Sequence, residues 1–244
     1  MATKVASSFG DAVGDPQQLA RITGVLFLIT FATSIPPFVF FYPPLVGDPN
    51  YVLGPGADMK VSWGALLEML LIISNIGTAL ALFPVVKRVN EALALGYVTA
   101  RLVECTFIAV GILCVMAVVS LRQDAAGMDT GALLAASKSL VKMHGWTFAL
   151  GPGFVVGVGN GLMLGYLMYT SRLVPRSVAV LGLVGGPLII LSGAAVLLGL
   201  IERGSAWQGV ATIPEFFWEL SLGVWLTARG FSPSALASLS ARTG

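Results

Sequence analysis

Long apolar runs separated by short polar connectors dominate the sequence. Six of these runs reach the length of about 20 residues that a helix needs to cross a bilayer. They cover residues 22–41, 61–86, 95–121, 145–169, 178–201 and 207–228. Because the connectors are too short to hold a soluble domain, the pattern predicts an all-α, polytopic membrane helical bundle with six transmembrane helices.

The composition agrees with this prediction. Of the 244 residues, 56% are hydrophobic and 11% are charged, whereas a soluble domain carries about 25% charged residues. Residues 1–20 are polar and lack the apolar core of a signal peptide, so we expect the first span to be retained. The sequence thus predicts a polar N-terminal segment (1–20), a six-helix transmembrane domain (21–231) and a short polar C-terminal tail (232–244).

Basic residues predict the orientation of the bundle. With the N-terminus inside, nine of the fourteen Lys and Arg residues fall on the cytoplasmic side, where short loops collect positive charge. We therefore predict that both termini are cytoplasmic. The net charge is only +2 and the basic residues are scattered, which argues against a nucleic-acid partner. The outer connector 122–143 can form a short helix in the membrane interface or extend the fourth span.

Small residues recur at every fourth position of the fourth run. This spacing lets membrane helices approach closely, and the fifth run offers a matching surface of small residues. The fourth-run positions are Gly145, Ala149, Gly153, Gly157, Gly161 and Gly165, and the fifth-run positions are Gly182, Gly185, Gly186, Ser192 and Gly193. The pattern predicts tight packing between the fourth and fifth helices.

Four carboxylates lie inside the apolar runs: Glu68, Glu104, Glu215 and Glu219. A charge at bilayer depth costs about 2.5–3.5 kcal/mol on insertion scales, so such residues usually face the interior of a bundle. If the helices face one another, several polar groups would line a cavity that opens to the outer side. These candidate ligand-binding residues are Glu68, Asn75, His144, Asn160, Glu215 and Glu219.

Each of these residues also has a purely structural interpretation. Buried polar side chains often only hold membrane helices together through hydrogen bonds, and a buried carboxyl can stay protonated. Glu215 directly follows Pro214 and can cap a broken half-helix. Arg101 and Glu104 are three residues apart, so they can form an inner-side ion pair. Alternatively, Arg101 binds an anionic head group.

The sequence predicts neither a metal site nor a catalytic residue. His144 is the chain's single histidine, and the Glu-x-x-His and His-Glu-x-x-His patterns of metal-binding helices do not occur. An exposed histidine at the interface is the better interpretation of His144. No Gly-x-Ser-x-Gly motif, nucleotide-binding loop or Cys-His pair points to an enzyme class or identifies a cofactor.

Two segments resemble a known family. The first span opens with Ala20-Arg-Ile-Thr-Gly-Val-Leu-Phe-Leu-Ile, and the last contains Pro214-Glu-Phe-Phe-Trp-Glu-Leu-Ser-Leu-Gly-Val-Trp-Leu. From about residue 19 to residue 231 the chain resembles the bacterial multi-pass membrane proteins catalogued as domain of unknown function 4386. The resemblance implies a bacterial inner-membrane bundle without an agreed activity, so it supplies no catalytic residue. It does draw attention to Trp218, between Glu215 and Glu219 in the closing motif, and Trp218 therefore joins the candidate ligand-binding residues.

Three functions fit these observations. The leading hypothesis is a bundle that binds or translocates a small amphiphilic or cationic molecule through Glu68 and Glu219. A second is an intramembrane enzyme that acts on a lipid or isoprenoid with a glutamate as general acid and base. A third is an accessory or assembly subunit without chemistry of its own, which would pair with another membrane protein or with a second copy. In each case the expected surroundings are a lipid bilayer.

Overall fold

The computed structural model describes residues 14–243, and this part of the chain is helical without a strand. The eight helices are α1 (Pro16–Phe41), α2 (Pro43–Val46), α3 (Asp58–Val86), α4 (Glu91–Gln123), α5 (Thr130–Ser171), α6 (Arg176–Leu197), α7 (Ala206–Ala228) and α8 (Pro233–Thr243). A short 3-10 turn, Tyr51–Leu53, precedes α3. The predicted all-α class is confirmed, while most of the polar segment 1–20 lies outside the described residues.

Five helices are long and apolar enough to cross a membrane: α1, α3, α4, α5 and α6. Helix α7 has 23 residues, which is also sufficient in length. Helix α7 carries the carboxylates Glu215 and Glu219, and it is not one of the five.

The six long helices form a closed ring in chain order. Helix α1 packs on α3, α3 on α4, α4 on α5, α5 on α6 and α6 on α7, and α7 returns to α1. The contact between α1 and α7 is close because Gly24 has no side chain: a Cβ atom there would lie 2.7 Å from the backbone oxygen of Gly223. The ring places α4 and α7 on opposite sides of the bundle.

Side-chain caps fix where several helices begin. The carboxylate of Asp15 accepts a hydrogen bond from Gln17 N at 3.1 Å, and Asn90 caps α4 through Leu93 N at 3.0 Å. Such caps satisfy the free N–H groups of a first turn. Asp129 caps α5 in the same way, at 2.8 Å from Ala132 N. Because α5 begins at Thr130 and runs for 42 residues, the connector 122–143 extends the fourth span and forms no separate interfacial helix.

The predicted packing of the fourth and fifth apolar runs is present as the contact between α5 and α6. A Cβ atom at Gly157 would lie 2.7 Å from the backbone oxygen of Gly186, and one at Gly165 would lie 3.2 Å from Leu183 N. Within this glycine-rich stretch α5 widens into two π-helical segments, Gly151–Val155 and Gly157–Leu164. Segments of this kind often occur at functional sites.

The two ends of the described chain are joined. Gln17 Nε2 donates to the Phe231 carbonyl at 2.7 Å, and Phe231 N donates to Gln17 Oε1 at 3.0 Å. Beyond this clamp, the segment predicted as a short polar tail forms helix α8, which buries Ala235 and Leu239 against the bundle. The ring is therefore closed at this end by side-chain as well as helix contacts.

Candidate functional site

A buried arginine on α4 links two opposite sides of the ring. Arg101 is only 2% exposed, yet its guanidinium makes two ion pairs. Nη1 lies 2.8 Å from Glu104 Oε2 on the same helix, and Nη2 lies 3.2 Å from Glu219 Oε1 on α7. Arg101 lies about 15 Å along α4 from Glu91, the first residue of that helix. Its side chain occupies the bundle interior.

Amide side chains from two further helices complete the hydrogen bonds of these carboxylates. Asn75 Nδ2 on α3 donates to Glu104 Oε1 at 3.4 Å, and Asn160 Nδ2 on α5 donates to Glu219 Oε1. The indole N–H of Trp218 donates to the backbone oxygen of Asn160 at 3.1 Å. Four helices therefore contribute to one polar layer.

Aromatic rings cover the guanidinium. Its central carbon lies 5.6 Å from the ring centre of Phe27 on α1 and 6.0 Å from that of Tyr97. At these distances an aromatic face attracts a cation. The Tyr97 hydroxyl lies 3.4 Å from the hydroxyl of Thr78 on α3. These contacts hold the positive charge of Arg101 in the centre of the ring.

Glu215 lies one turn before Glu219 and is the least satisfied group of the layer. It is 3% exposed, and neither carboxyl oxygen has a hydrogen-bond partner among the described residues. Oε2 rests against two glycines: a Cβ atom would lie 2.7 Å from it at Gly161 and 2.8 Å at Gly185. Because α7 runs unbroken through Pro214, Glu215 does not cap a separate half-helix.

The acidic groups of the layer outnumber its cation. Glu104 and Glu219 pair with Arg101, and Glu215 lies within Coulombic range of the same arginine without pairing with it. Three ionised carboxylates would therefore leave a net charge of −2 in the protein interior. Burying uncompensated charge is strongly unfavourable. A proton or a bound cation would therefore reduce the excess negative charge of the layer.

Glu68 and His144 form a second, separate cluster. Tyr42 OH, just after α1, donates to Glu68 Oε2 at 2.7 Å, and the His144 ring stands edge-on to the Tyr42 ring with 5.3 Å between their centres. His144 Nδ1 lies 3.3 Å from the Gly111 oxygen. Burial and the neighbouring Glu68 carboxylate raise the pKa of Tyr42, so the phenol remains a donor.

These positions correct the predicted grouping of site residues. The sequence placed Glu68 and His144 in one cavity with Glu219, but Glu68 lies seven residues from Asn75 on α3, about 10 Å along the helix axis. His144 is 8% exposed and is not the exposed interfacial histidine that we expected. The inner-side ion pair of Arg101 and Glu104 exists, but it belongs to the same layer as Glu219.

A third polar cluster joins the segment before α3 to the end of α4, and the sequence did not predict it. Arg122 at the end of α4 forms a bidentate ion pair with Asp58 at the start of α3. Its Nε donates to Oδ1 at 2.7 Å, and its Nη2 donates to Oδ2. Tyr51 OH donates to Asp58 Oδ1 at 2.8 Å. Burial, together with this hydrogen bond, raises the pKa of Tyr51 to about 12. The available signal was that Asp58 begins one long helix and Arg122 ends the next, so both charges lie at the same end of a helix pair.

A surface groove of about 460 Å³ lies away from these clusters, where α5 ends and α6 begins. Arg172 and Arg176 line it together with Trp225. Arg172 ends α5 in the left-handed conformation with φ of 58°. None of the residues that line the groove belongs to the polar layer.

The family of the chain follows from comparison with known proteins. No curated protein and no solved structure shows a significant match to the chain. One family model does match, and its description is Domain of unknown function (DUF4386). The match covers residues 22–230, from the first apolar run to the end of α7, and includes every residue of the polar layer. The resemblance noted in the sequence is therefore confirmed, and the chain belongs to the DUF4386 family.

Proposed function

We propose that this protein binds or translocates a small cationic, amphiphilic molecule within the membrane, at the polar layer around Arg101, Glu215 and Glu219. The observation that carries the proposal is the charge imbalance of the layer, in which one arginine pairs with Glu104 and Glu219 while Glu215 nearby has no partner. A cation would bring this buried charge closer to neutrality. Its apolar part would be compatible with the surrounding bundle and lipid.

Glu219 is the accessible member of the layer. Its side chain is 19% exposed, compared with 3% for Arg101 and 6% for Glu104. Arg101 connects α4 to α7 across the ring. A cation that enters between these helices would therefore meet Glu219 and compete with Arg101 for its carboxylate. We therefore assign the first contact with the cation to Glu219.

The proposal includes the membrane setting. We infer that α7 is a sixth span, since it closes the ring between α1 and α6 and turns its carboxylates towards Arg101. We further infer that both termini are cytoplasmic. Arg172, Arg176 and Arg229 lie at the ends of α5 and α7 and at the start of α6, and short cytoplasmic loops collect such positive charge. By family resemblance, the membrane is the bacterial inner membrane.

Equilibrium binding to purified protein in nanodiscs would test the function. The probes are tetraphenylphosphonium, a quaternary-ammonium amphiphile and an uncharged analogue of each. We expect the cations to bind, the neutral analogues not to bind, and Glu219→Gln to weaken binding at least about tenfold, or about 1.4 kcal/mol. Glu202→Gln, at an exposed loop position, is the matched control. Equal affinity of wild type and Glu219→Gln for all cationic probes would refute the proposal.

A further inference from the structure

We propose that Glu215 is a proton-binding site in the middle of the bundle, and that a monovalent cation bound beside Glu219 displaces its proton. The first half of this inference stands on the geometry of Glu215 alone. The second half rests on the proposed function and adds to it a coupling between proton and cation.

The surroundings of Glu215 favour a neutral carboxyl. The side chain is 3% exposed, and both oxygens are buried without a hydrogen-bond donor among the described residues. Its Oε2 faces the backbone of Gly161 and Gly185, which leaves no side chain there to donate. An ionised carboxylate without donors is strongly disfavoured in such a place, so it takes up a proton instead.

Glu104 and Glu219 are poorer candidates for the proton. Each accepts a hydrogen bond from Arg101, at 2.8 Å and 3.2 Å respectively. Each also accepts one from an asparagine amide, Asn75 for Glu104 and Asn160 for Glu219. Donors that point at a carboxylate favour its ionised form, so the proton belongs on the carboxyl that lacks them.

The helices that pack around Glu215 bring few other charges. From α6 it meets glycine backbone, and the titratable residue of that helix, Arg176, lies at its far end. From α5 it meets the backbone of Gly161. The nearby amide of Asn160 is not titratable and donates to Glu219 instead. The charged neighbours are therefore Arg101 and Glu104 on α4 and Glu219 on α7 itself, with the neutral phenol of Tyr97 beside the arginine.

Charge balance links the proton to the cation. With Glu215 protonated, Arg101, Glu104 and Glu219 leave the layer at −1. A monovalent cation bound beside Glu219 adds a positive charge next to this proton, and a nearby positive charge favours the ionised form of a carboxyl, so Glu215 releases its proton. Glu215 and Glu219 are four residues apart on one face of α7, about 6 Å along the axis, so each charge is felt strongly at the other position. Exchange is thus one proton out of the carboxyl O–H for one cation bound.

Infrared spectroscopy would test the proton without any ligand. At neutral pH we expect a C=O stretch from a protonated carboxyl, shifted by deuteration, in the wild type. Glu215→Gln, which keeps the shape of the side chain, should remove this band, whereas Glu202→Gln should leave it in place. A band of unchanged intensity in Glu215→Gln would overturn the assignment of the proton.

A glycine variant provides a second test that keeps the carboxyl. Gly185→Ala places a methyl group against Glu215 Oε2 and should shift the frequency of the band. Gly209→Ala, at a helical glycine with no atom within 4 Å of the added Cβ, should not. If both variants leave the frequency of the wild type unchanged, the band does not arise from Glu215 and the assignment is wrong.

Proton release during binding would test the exchange. In weak buffer, wild-type protein should release about one proton per tetraphenylphosphonium bound, and its affinity should rise with pH. Glu215→Gln should release none, with an affinity that no longer depends on pH. Binding to wild type without proton release would overturn the exchange and leave the proposed function standing. An intact Glu215 band without binding of any cationic probe would overturn both the exchange and the proposed function, but not the proton site.

Discussion

Replacing Arg101 by methionine would test whether the polar layer is an ionic centre or ordinary hydrogen-bonded packing. Methionine keeps an unbranched apolar stem and removes the guanidinium. Glu104 and Glu219 then lose contacts of 2.8 Å and 3.2 Å to a positive charge. Both carboxylates stay in the interior without a cation.

The two interpretations differ in magnitude. Removing one partner of a buried ion pair costs about 3–5 kcal/mol, because an uncompensated charge remains. Interhelical hydrogen bonds in membranes average about 0.6 kcal/mol each, so loss of two such bonds would cost only about 1 kcal/mol. We expect Arg101→Met to lower the free energy of unfolding by about 3–5 kcal/mol.

Reversible unfolding in mixed micelles with increasing denaturing detergent would measure this difference. Arg101→Met combined with Glu104→Gln and Glu219→Gln removes the stranded charges and should recover most of the loss. Arg229→Met removes an exposed arginine and should stay within about 0.5 kcal/mol of wild type. A loss near 1 kcal/mol for Arg101→Met, or no recovery in the triple variant, would refute the ionic interpretation.

Three further predictions concern the outer connector and the helix packing. Asp58→Asn should lower the free energy of unfolding by about 1 kcal/mol through the lost pair with Arg122, and a double-mutant cycle with Arg122→Gln that shows plain additivity would contradict this. The pKa of Tyr51, raised to about 12, gives stability that is complete below about pH 10 and lost as the pH rises through 12. Unfolding measurements at alkaline pH should therefore show that the stability difference between wild type and Tyr51→Phe narrows over that pH range. A stability difference that stays constant would contradict this prediction. Gly186→Val should destabilise the protein by at least about 1–3 kcal/mol, since a Cβ atom there lies 2.7 Å from a backbone oxygen of α5. Gly209→Ala, the control, should not destabilise it. Equal thermal stability of the two variants would disprove the tight packing.

Features that depend on local spacing could be predicted from the sequence. The apolar runs correspond to α1 and α3 to α7, because helix length and hydropathy are properties of one segment. The ends shift by a few residues, except that α5 begins at Thr130, fifteen residues before the fourth run. The glycines of α5 and α6 also meet as predicted, since Gly157 and Gly186 offer backbone without side chains at matching depths. Neither conclusion required knowledge of which helices face each other across the ring.

The grouping of polar residues could not be predicted, because it depends on helix rotation and on contacts distant in sequence. Glu68 accepts a hydrogen bond from Tyr42, which directly follows the π-helical end of α1. Glu219 finds Arg101 118 positions away. Arg101 itself resembled an interfacial arginine in sequence, since nothing in the spacing to Glu104 reveals a third partner on another helix.

The Arg101–Glu219 pair matters because α4 and α7 are not neighbours in the ring. Each long helix contacts the next one in the chain, and α1 closes the circle with α7. Packing between neighbouring helices alone would therefore not join α4 to α7. The ion pair crosses that middle, with Asn75 and Asn160 attached from α3 and α5. A cation that replaces Arg101 at Glu219 would therefore break a link between opposite walls of the ring as it binds.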